Sequence, residues 1–122
     1  MKSTPRLTVE ERREGRDRIL KLQGTADILC LPELQDLFAR LRREDVRLLA
    51  IDLSATEFIN SPVWAVITLY ARKPNGAATP VAIIGMPDRI RGSFEMMGLQ
   101  RELRTYPTLE AARRDLGVPA EG

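Results

Sequence analysis

The chain has 122 residues, the commonest length for one compact domain with its own core. Lys and Arg number 19 against 17 Asp and Glu, and the opposite charges are interleaved, so that the net charge is only +2. A surface dedicated to nucleic acid needs massed positive charge and is therefore not expected. We expect a single domain over residues 1–122, with flexible ends at 1–5 and 118–122.

Few side chains suited to metal binding or catalysis are present. The sequence contains no His and only one Cys, Cys30. An internal disulfide is therefore impossible, a base–nucleophile pair with His cannot form, and neither a metal nor another cofactor is expected. Phosphate-binding Gly-rich motifs are absent as well. Asp27, Asp52 and Glu57 are available for a carboxylate site, but nothing in their spacing requires one, so solvated or ion-paired acids are the favoured interpretation.

The sequence shows no targeting or membrane segment. Residues 1–9 lack the apolar core of a secretory leader, and nowhere do about 18 apolar residues follow one another. We therefore expect a cytoplasmic protein without membrane insertion.

The first half of the chain predicts a hairpin, a helix and a buried strand. Residues 7–13 and 16–23 flank a Glu-Gly turn and suit paired strands, the charged first strand being typical of a sheet edge. Residues 31–43 place Leu and Phe at helical spacing behind a first-turn Pro. Residues 46–53 form an apolar run of strand length, which is typical of the centre of a sheet.

The second half predicts helices and strands in alternation. A largely buried helix begins at Pro62 and ends before the Lys-Pro-Asn-Gly breaker at 73–76, and a strand follows at 81–84. The next helix covers 87–97 and ends at Gly98. A strand at 103–106 and a helix from Thr108 through 110–116 complete the chain. Strands that alternate with helices require crossover connections. The fold class is therefore α/β, with a mixed sheet of about five strands and about four helices packed against it.

The turn into the second predicted helix is the candidate site. A buried strand leads through residues 54–60 to Ser61 and Pro62, and the N-terminus of a helix in an α/β fold favours anions. One interpretation makes Ser61 the N-cap, whose hydroxyl accepts a hydrogen bond from a first-turn amide. The other makes this hydroxyl a phosphorylation site. The two are compatible, because a capping serine still carries a hydroxyl.

Three apolar residues have two interpretations, and the cysteine has one. One interpretation is an exposed apolar surface that binds a partner, formed by Met96, Met97 and Trp64. The other is the core, to which Met and Trp at helical spacing more often belong. Cys30 lies just before the first predicted helix and is interpreted as a small apolar filler.

Four segments, in order, resemble one known family. Residues 22–27 are similar to its second strand and Gly-x-x-Asp turn, and residues 49–54 to its central strand. The Phe-Ile-Asn-Ser at 58–61, before an apolar helix, resembles the segment that carries the family's phosphorylated serine. Residues 85–99 are similar to its third helix, with the Phe-x-x-x-Gly-Leu ending. Together they resemble a STAS domain of the anti-sigma-factor-antagonist type.

The resemblance implies a non-enzymatic bacterial regulator of transcription that works by partner switching. Such proteins bind a GHKL-type serine kinase that is also an anti-sigma factor, phosphorylation breaks the complex, and a serine phosphatase can act in the same system. Ser61 takes the position of the phosphoacceptor. Asp27, Asn60, Pro62 and Val63 are implied as the other partner-binding residues, and no cofactor is implied.

Two positions depart from the family pattern. Ser-Gly usually follows the phosphoacceptor, whereas Pro62 and Val63 follow it here. Pro62 has no N–H to donate to a phosphate, and Val63 adds a side chain where glycine lets a partner approach. We expect slower or more selective phosphorylation.

The alternative function is a STAS scaffold or subunit of a stress-signalling or lipid-transport complex, in which Ser61 is only a helix cap.

Overall fold

The chain enters its sheet through a hairpin. The computed structural model describes residues 6–72 and 79–121, so the predicted breaker at 73–76 and the end at 1–5 lie outside the described residues. Strands β1 (Leu7–Glu14) and β2 (Asp17–Ala26) pair antiparallel, which confirms the predicted hairpin. The charged strand β1 lies at the edge of the sheet, as predicted.

Helices and strands then alternate, except that β4 directly follows β3. The further elements are α1 (Leu31–Arg43), β3 (Leu48–Asp52), β4 (Thr56–Ile59), α2 (Ser61–Ala71), β5 (Val81–Ile84), α3 (Asp88–Met96), β6 (Arg104–Tyr106) and α4 (Leu109–Leu116), with 3-10 helices at Ile28–Cys30 and Leu99–Arg101. Helix α1 has the predicted bounds, and the other predicted elements shift by a few residues at most. Gly98, predicted to close the third helix, has a left-handed φ of 72° directly after it.

The described residues contain one mixed sheet of six strands: five follow the order β1-β2-β3-β5-β6, and β4 pairs with β2 outside this order. The pairings of β2 with β3, β3 with β5 and β5 with β6 are parallel. Strand β3 is central, as predicted, and the α/β fold class is confirmed. Strand β4 was not predicted: it pairs with the end of β2, where Ala26 lies opposite Ile59. It has four residues, two of them exposed, and therefore no apolar run to recognise.

Two apolar clusters hold the helices on opposite faces of the sheet. Successive strand residues point to opposite faces, and Leu20 belongs to the larger cluster whereas Ile19 belongs to the smaller. Helices α1, α2 and α3 contribute to the larger cluster, where the rings of Trp64 and Phe94 lie 5.3 Å apart. Helix α4 covers the other face through Ala112. Within the described residues, no helix has the length and apolarity needed to span a membrane.

A buried carboxylate joins the C-terminal helix to the hairpin. Asp17 is 0% exposed and accepts hydrogen bonds from Arg47 at 2.8 and 3.0 Å and from Arg113 at 3.1 Å. Burial by itself would raise the pKa of Asp17, but these hydrogen bonds outweigh it and hold the pKa below its ordinary value. Arg47 also donates to the carbonyl of Pro119 at 2.7 Å, and Pro119 belongs to the end expected to be flexible, 118–122.

Candidate functional site

Ser61 is the first residue of α2, and one residue, Asn60, separates it from the end of β4. The N–H of Asn60 donates to the carbonyl of Ala26 at 3.1 Å, which fixes this turn against the end of β2. The side-chain oxygen of Asn60 accepts a hydrogen bond from the N–H of Val63 at 3.4 Å, so Asn60 is the N-cap. The interpretation of Ser61 as the N-cap is therefore wrong. Ser61 is exposed, and within the described part of the chain its hydroxyl makes no hydrogen bond.

Most first-turn amides of α2 are already used or missing. Pro62 has no N–H, and the N–H of Val63 binds the side chain of Asn60. The N–H of Trp64 donates to the carbonyl of Asn60 at 3.2 Å as the first helical hydrogen bond. Little of the usual anion-binding capacity of a helix N-terminus remains. We therefore expect a phosphate on Ser61 to project outward instead of folding back onto the turn.

The predicted Gly-x-x-Asp turn lies beside this helix start. Gly24 has φ of +104°, and a Cβ there would lie 2.3 Å from the carbonyl oxygen of Arg6, so only glycine fits. Asp27 accepts a backbone N–H two residues further on at 3.0 Å and the Nε–H of Arg6 at 2.7 Å. Asp27 directly follows Ala26, whose carbonyl accepts the Asn60 N–H, so the backbone of Asp27 lies next to the turn that leads into α2.

Five exposed large apolar side chains lie on β4, on α2 and on the segments that follow β2 and α3. The 3-10 helix after β2 exposes Ile28 and Leu29, and β4 exposes Phe58. Helix α2 exposes Leu69, and Met97 is exposed at the end of α3. Grouped apolar residues of this kind are typical of a surface that binds another protein.

A groove of about 350 Å³ extends from Ser61 between α2 and the segment that follows α3. It is largely apolar and ends at the Arg72–Glu102 ion pair. Its other lining residues are Trp64, Ala65, Thr68, Leu69, Met97 and Leu99. The indole N–H of Trp64 is buried and has no hydrogen-bond partner among residues 6–72 and 79–121.

The apolar residues with two interpretations divide between core and surface. Trp64 is 0% exposed, which confirms its assignment to the core, and Cys30 is buried as predicted. The same assignment is wrong for Met96 and Met97, which are 89% and 44% exposed. Val63, implied as a partner-binding residue, is 1% exposed and packs in the larger cluster. Its side chain therefore does not reach the surface around Ser61.

The three acids considered for a carboxylate site have separate surroundings. Asp27 pairs with Arg6, whereas Asp52 accepts the N–H of Ser54 at 2.9 Å. Glu57 is exposed on β4. Within the described ranges, no three His, Cys, Asp or Glu side chains lie together as metal ligands would.

Comparison with known proteins places this geometry in a family. A family model described as the STAS domain matches residues 8–112, from β1 into α4. The chain belongs to the STAS domain family. The family resemblance read from the sequence is thereby confirmed. A search of curated proteins found no match to this STAS domain.

Solved structures share the STAS fold. An anti-sigma factor antagonist from Mycobacterium paratuberculosis superposes with a TM-score of 0.80 at 23% identity, over 94% of this chain and 98% of that one. The anti-sigma factor antagonist SpoIIAA in its unphosphorylated form superposes with a TM-score of 0.76 at 15% identity, over 92% of this chain and 99% of that one. The Bacillus cell fate determinant SpoIIAA in its phosphorylated form superposes with a TM-score of 0.67 at 14% identity, over 88% of this chain and 99% of that one. At these identities the likeness establishes the fold alone.

Proposed function

We propose that this STAS protein is a non-enzymatic partner-switch regulator that is controlled by phosphorylation on Ser61. Its partner is a GHKL-type serine kinase that supplies the ATP and also acts as an anti-sigma factor. The observation that carries the proposal is the position of Ser61, an exposed hydroxyl at the start of α2 that the helix does not use as a cap. Adding a phosphate to such a hydroxyl breaks no hydrogen bond of the described fold.

The surroundings of Ser61 support a protein partner. A kinase must approach the hydroxyl closely, and the groove that starts at Ser61 offers apolar area next to it. The partner surface we propose contains Asp27, Asn60, Ser61 and Pro62. Val63 contributes to it only by holding the turn, through its backbone N–H.

The solved structures support the regulatory part of the proposal by analogy of fold. One is of an anti-sigma factor antagonist, and SpoIIAA, also an anti-sigma factor antagonist, has been solved with and without phosphorylation. The absence of His from this sequence is in keeping with a protein that performs no catalysis itself.

The scaffold alternative makes a different prediction. It assigns Ser61 only the role of a helix cap, which Asn60 fills in the structure. A scaffold or transport subunit binds its partner equally well with or without phosphate on Ser61. The dependence of binding on phosphorylation therefore separates the two functions.

A phosphorylation assay with purified components tests the proposal. The chain is incubated with ATP and purified GHKL-type kinases, and mass spectrometry locates the phosphate. Ser54 is also exposed, so Ser54→Ala is the matched control for Ser61→Ala. We expect phosphate on Ser61 that a serine phosphatase removes, that Ser61→Ala abolishes and that Ser54→Ala leaves unchanged. Modification of other residues only, or of none, contradicts the proposed function.

A further inference from the structure

Met97 places a thioether in the groove that begins at Ser61. Met97 is 44% exposed as a residue, which leaves it open to oxidants in solution. Met96 is 89% exposed but does not line the groove. The sulfur atoms of Met86 and Cys30 belong to residues only 7% and 9% exposed, which shields them. The accessible sulfurs among the described residues are therefore a pair of adjacent methionines, only one of which lines the groove.

We propose that Met97 is an oxidation site through which a peroxide controls docking at Ser61, an inference that rests on the proposed function. The Met97 sulfur attacks one oxygen of hydrogen peroxide, and the S–O bond forms as the O–O bond breaks. The departing hydroxide takes the proton of the transferred oxygen and leaves as water. The sulfur is oxidised by two electrons, the peroxide is reduced by two, and Met97 becomes a sulfoxide.

The sulfoxide changes the groove without changing the fold. In the free protein its oxygen remains hydrated, because Met97 lies on the surface just after α3. A partner that packs against the exposed Leu69 on the other side of the groove must instead remove water from that oxygen. Burying a polar group without a hydrogen bond opposes association. Oxidation of Met97 therefore weakens docking of the kinase and slows phosphorylation of Ser61.

Trp64 reports on Met97 without any partner. It is the only Trp in the chain, it is 0% exposed, and it lines the same groove. A new dipole at Met97 should therefore shift the fluorescence emission of the protein. Met96 provides the matched control, since it is adjacent in sequence and more exposed but lies outside the groove lining.

The first test needs only the purified chain and hydrogen peroxide. Wild type, Met97→Leu and Met96→Leu are oxidised, and mass spectrometry follows each sulfur. We expect one added oxygen on Met96 and on Met97 before any on Met86 or Cys30. The emission of Trp64 should shift in wild type and Met96→Leu but not in Met97→Leu. Slow oxidation of Met97 relative to Met86, or an emission shift that Met97→Leu retains, overturns the assignment.

The second test uses the kinase that phosphorylates Ser61 in the assay described above. Peroxide treatment of the chain should lower kcat/KM roughly tenfold, mainly through KM, in wild type and in Met96→Leu. Met97→Leu should be insensitive, and methionine sulfoxide reductase should restore the wild-type rate. If no kinase modifies the reduced chain, the proposed function fails. If oxidised and reduced chains react equally well, the proposed function stands and the role of Met97 is refuted.

Discussion

The side-chain oxygen of Asn60 accepts the N–H of Val63 at 3.4 Å, so the cap of α2 is supplied by the neighbour of Ser61 and not by Ser61 itself. Replacing an N-cap residue by alanine costs about 1 kcal/mol, whereas an exposed residue outside such a feature costs less than about 0.5 kcal/mol. We therefore expect Asn60→Ala to lower the free energy of unfolding and Ser61→Ala to leave it nearly unchanged. Urea denaturation compares them, and an equal loss in Ser61→Ala would show that the serine also stabilises the helix.

Phosphorylation of Ser61 should act on binding and hardly on the fold. A negative charge at the N-terminus of α2 interacts favourably with the helix dipole, by roughly 0.3–1 kcal/mol when exposed. Ser61→Asp should therefore unfold within about 1 kcal/mol of wild type. An unpaired charge placed in a contact surface opposes association by several kcal/mol, and about 1.4 kcal/mol corresponds to a tenfold loss of affinity.

Calorimetric titration against the cognate kinase measures the second effect. Ser61→Ala should bind like wild type without being released by ATP, whereas Ser61→Asp should bind at least about tenfold more weakly. Equal affinity of the two variants would favour the scaffold alternative. Thermal unfolding of the same samples excludes loss of the fold as the cause.

Pro62 should limit how Ser61 is phosphorylated. It stands where the family pattern implied by the sequence resemblance has Ser, and it removes one amide from the first turn of α2. Pro62→Ser restores both an N–H and a hydroxyl, and we expect faster phosphorylation or acceptance by more kinases. Pro62→Ala, which restores only the N–H, separates the two contributions. Unchanged rates in both variants would show that this departure has no functional effect.

Adding Val63→Gly to complete the family pattern would mix a loss of stability with the effect on phosphorylation. The Val63 side chain is 1% exposed, so its removal leaves a cavity in the core. Large-to-small changes at buried positions typically cost about 1 kcal/mol or more. A slower reaction of the double variant would then reflect instability and not the partner surface.

Gly24 should tolerate no side chain. A Cβ at this position would lie 2.3 Å from the Arg6 carbonyl oxygen, and its φ of +104° is unfavourable for other residues. Gly24→Ala should lose more than about 1 kcal/mol and disturb the turn that carries Asp27. Gly92 on α3 is the control: a Cβ there meets nothing within 4 Å, so Gly92→Ala should stabilise by about 0.4–1 kcal/mol. Denaturation of Gly24→Ala like wild type would contradict this explanation.

The ion pairs of Asp17 should make the stability of the protein sensitive to acid. Its pKa in the folded chain lies below the ordinary value of 3.8, so its contribution is present above that pH and is lost as the pH falls through the folded pKa. Asp17→Asn leaves Arg47 and Arg113 without their buried counter-charge, which should cost about 3–5 kcal/mol near neutral pH.

Urea denaturation across the acid range tests this. The deficit of Asp17→Asn should begin to shrink below about pH 4, where unfolded wild type takes up the proton, and should vanish once the pH falls below the lowered pKa of the folded chain. Asp115→Asn is the control, because Asp115 is 54% exposed in its pair with Arg104, and it should change stability by less than about 1 kcal/mol. A deficit that is independent of pH would assign the loss to packing.

The sequence by itself determined the features that depend on local periodicity. Helix α1 has the predicted bounds because its apolar residues repeat at helical spacing behind a first-turn Pro. The hairpin and the central strand β3 follow in the same way from runs of apolar and charged residues. The turn at Ser61 was located because a buried strand and an apolar helix leave one polar connection between them. Family membership also followed from sequence, since the matching segments keep their order.

Only the tertiary structure decided which side chains this turn exposes. Strand β4 exists because its short backbone pairs with the end of β2, a contact between segments distant in the sequence. Asn60 is the N-cap instead of the predicted Ser61. The Asn60 N–H donates to the Ala26 carbonyl, and this bond orients the Asn60 side chain toward the first turn of α2. Met97 lies in a groove and not in the core because it follows the end of α3, where the neighbouring elements leave it 44% exposed. Periodicity gives the face of a helix, but how far neighbouring elements cover that face depends on how they pack.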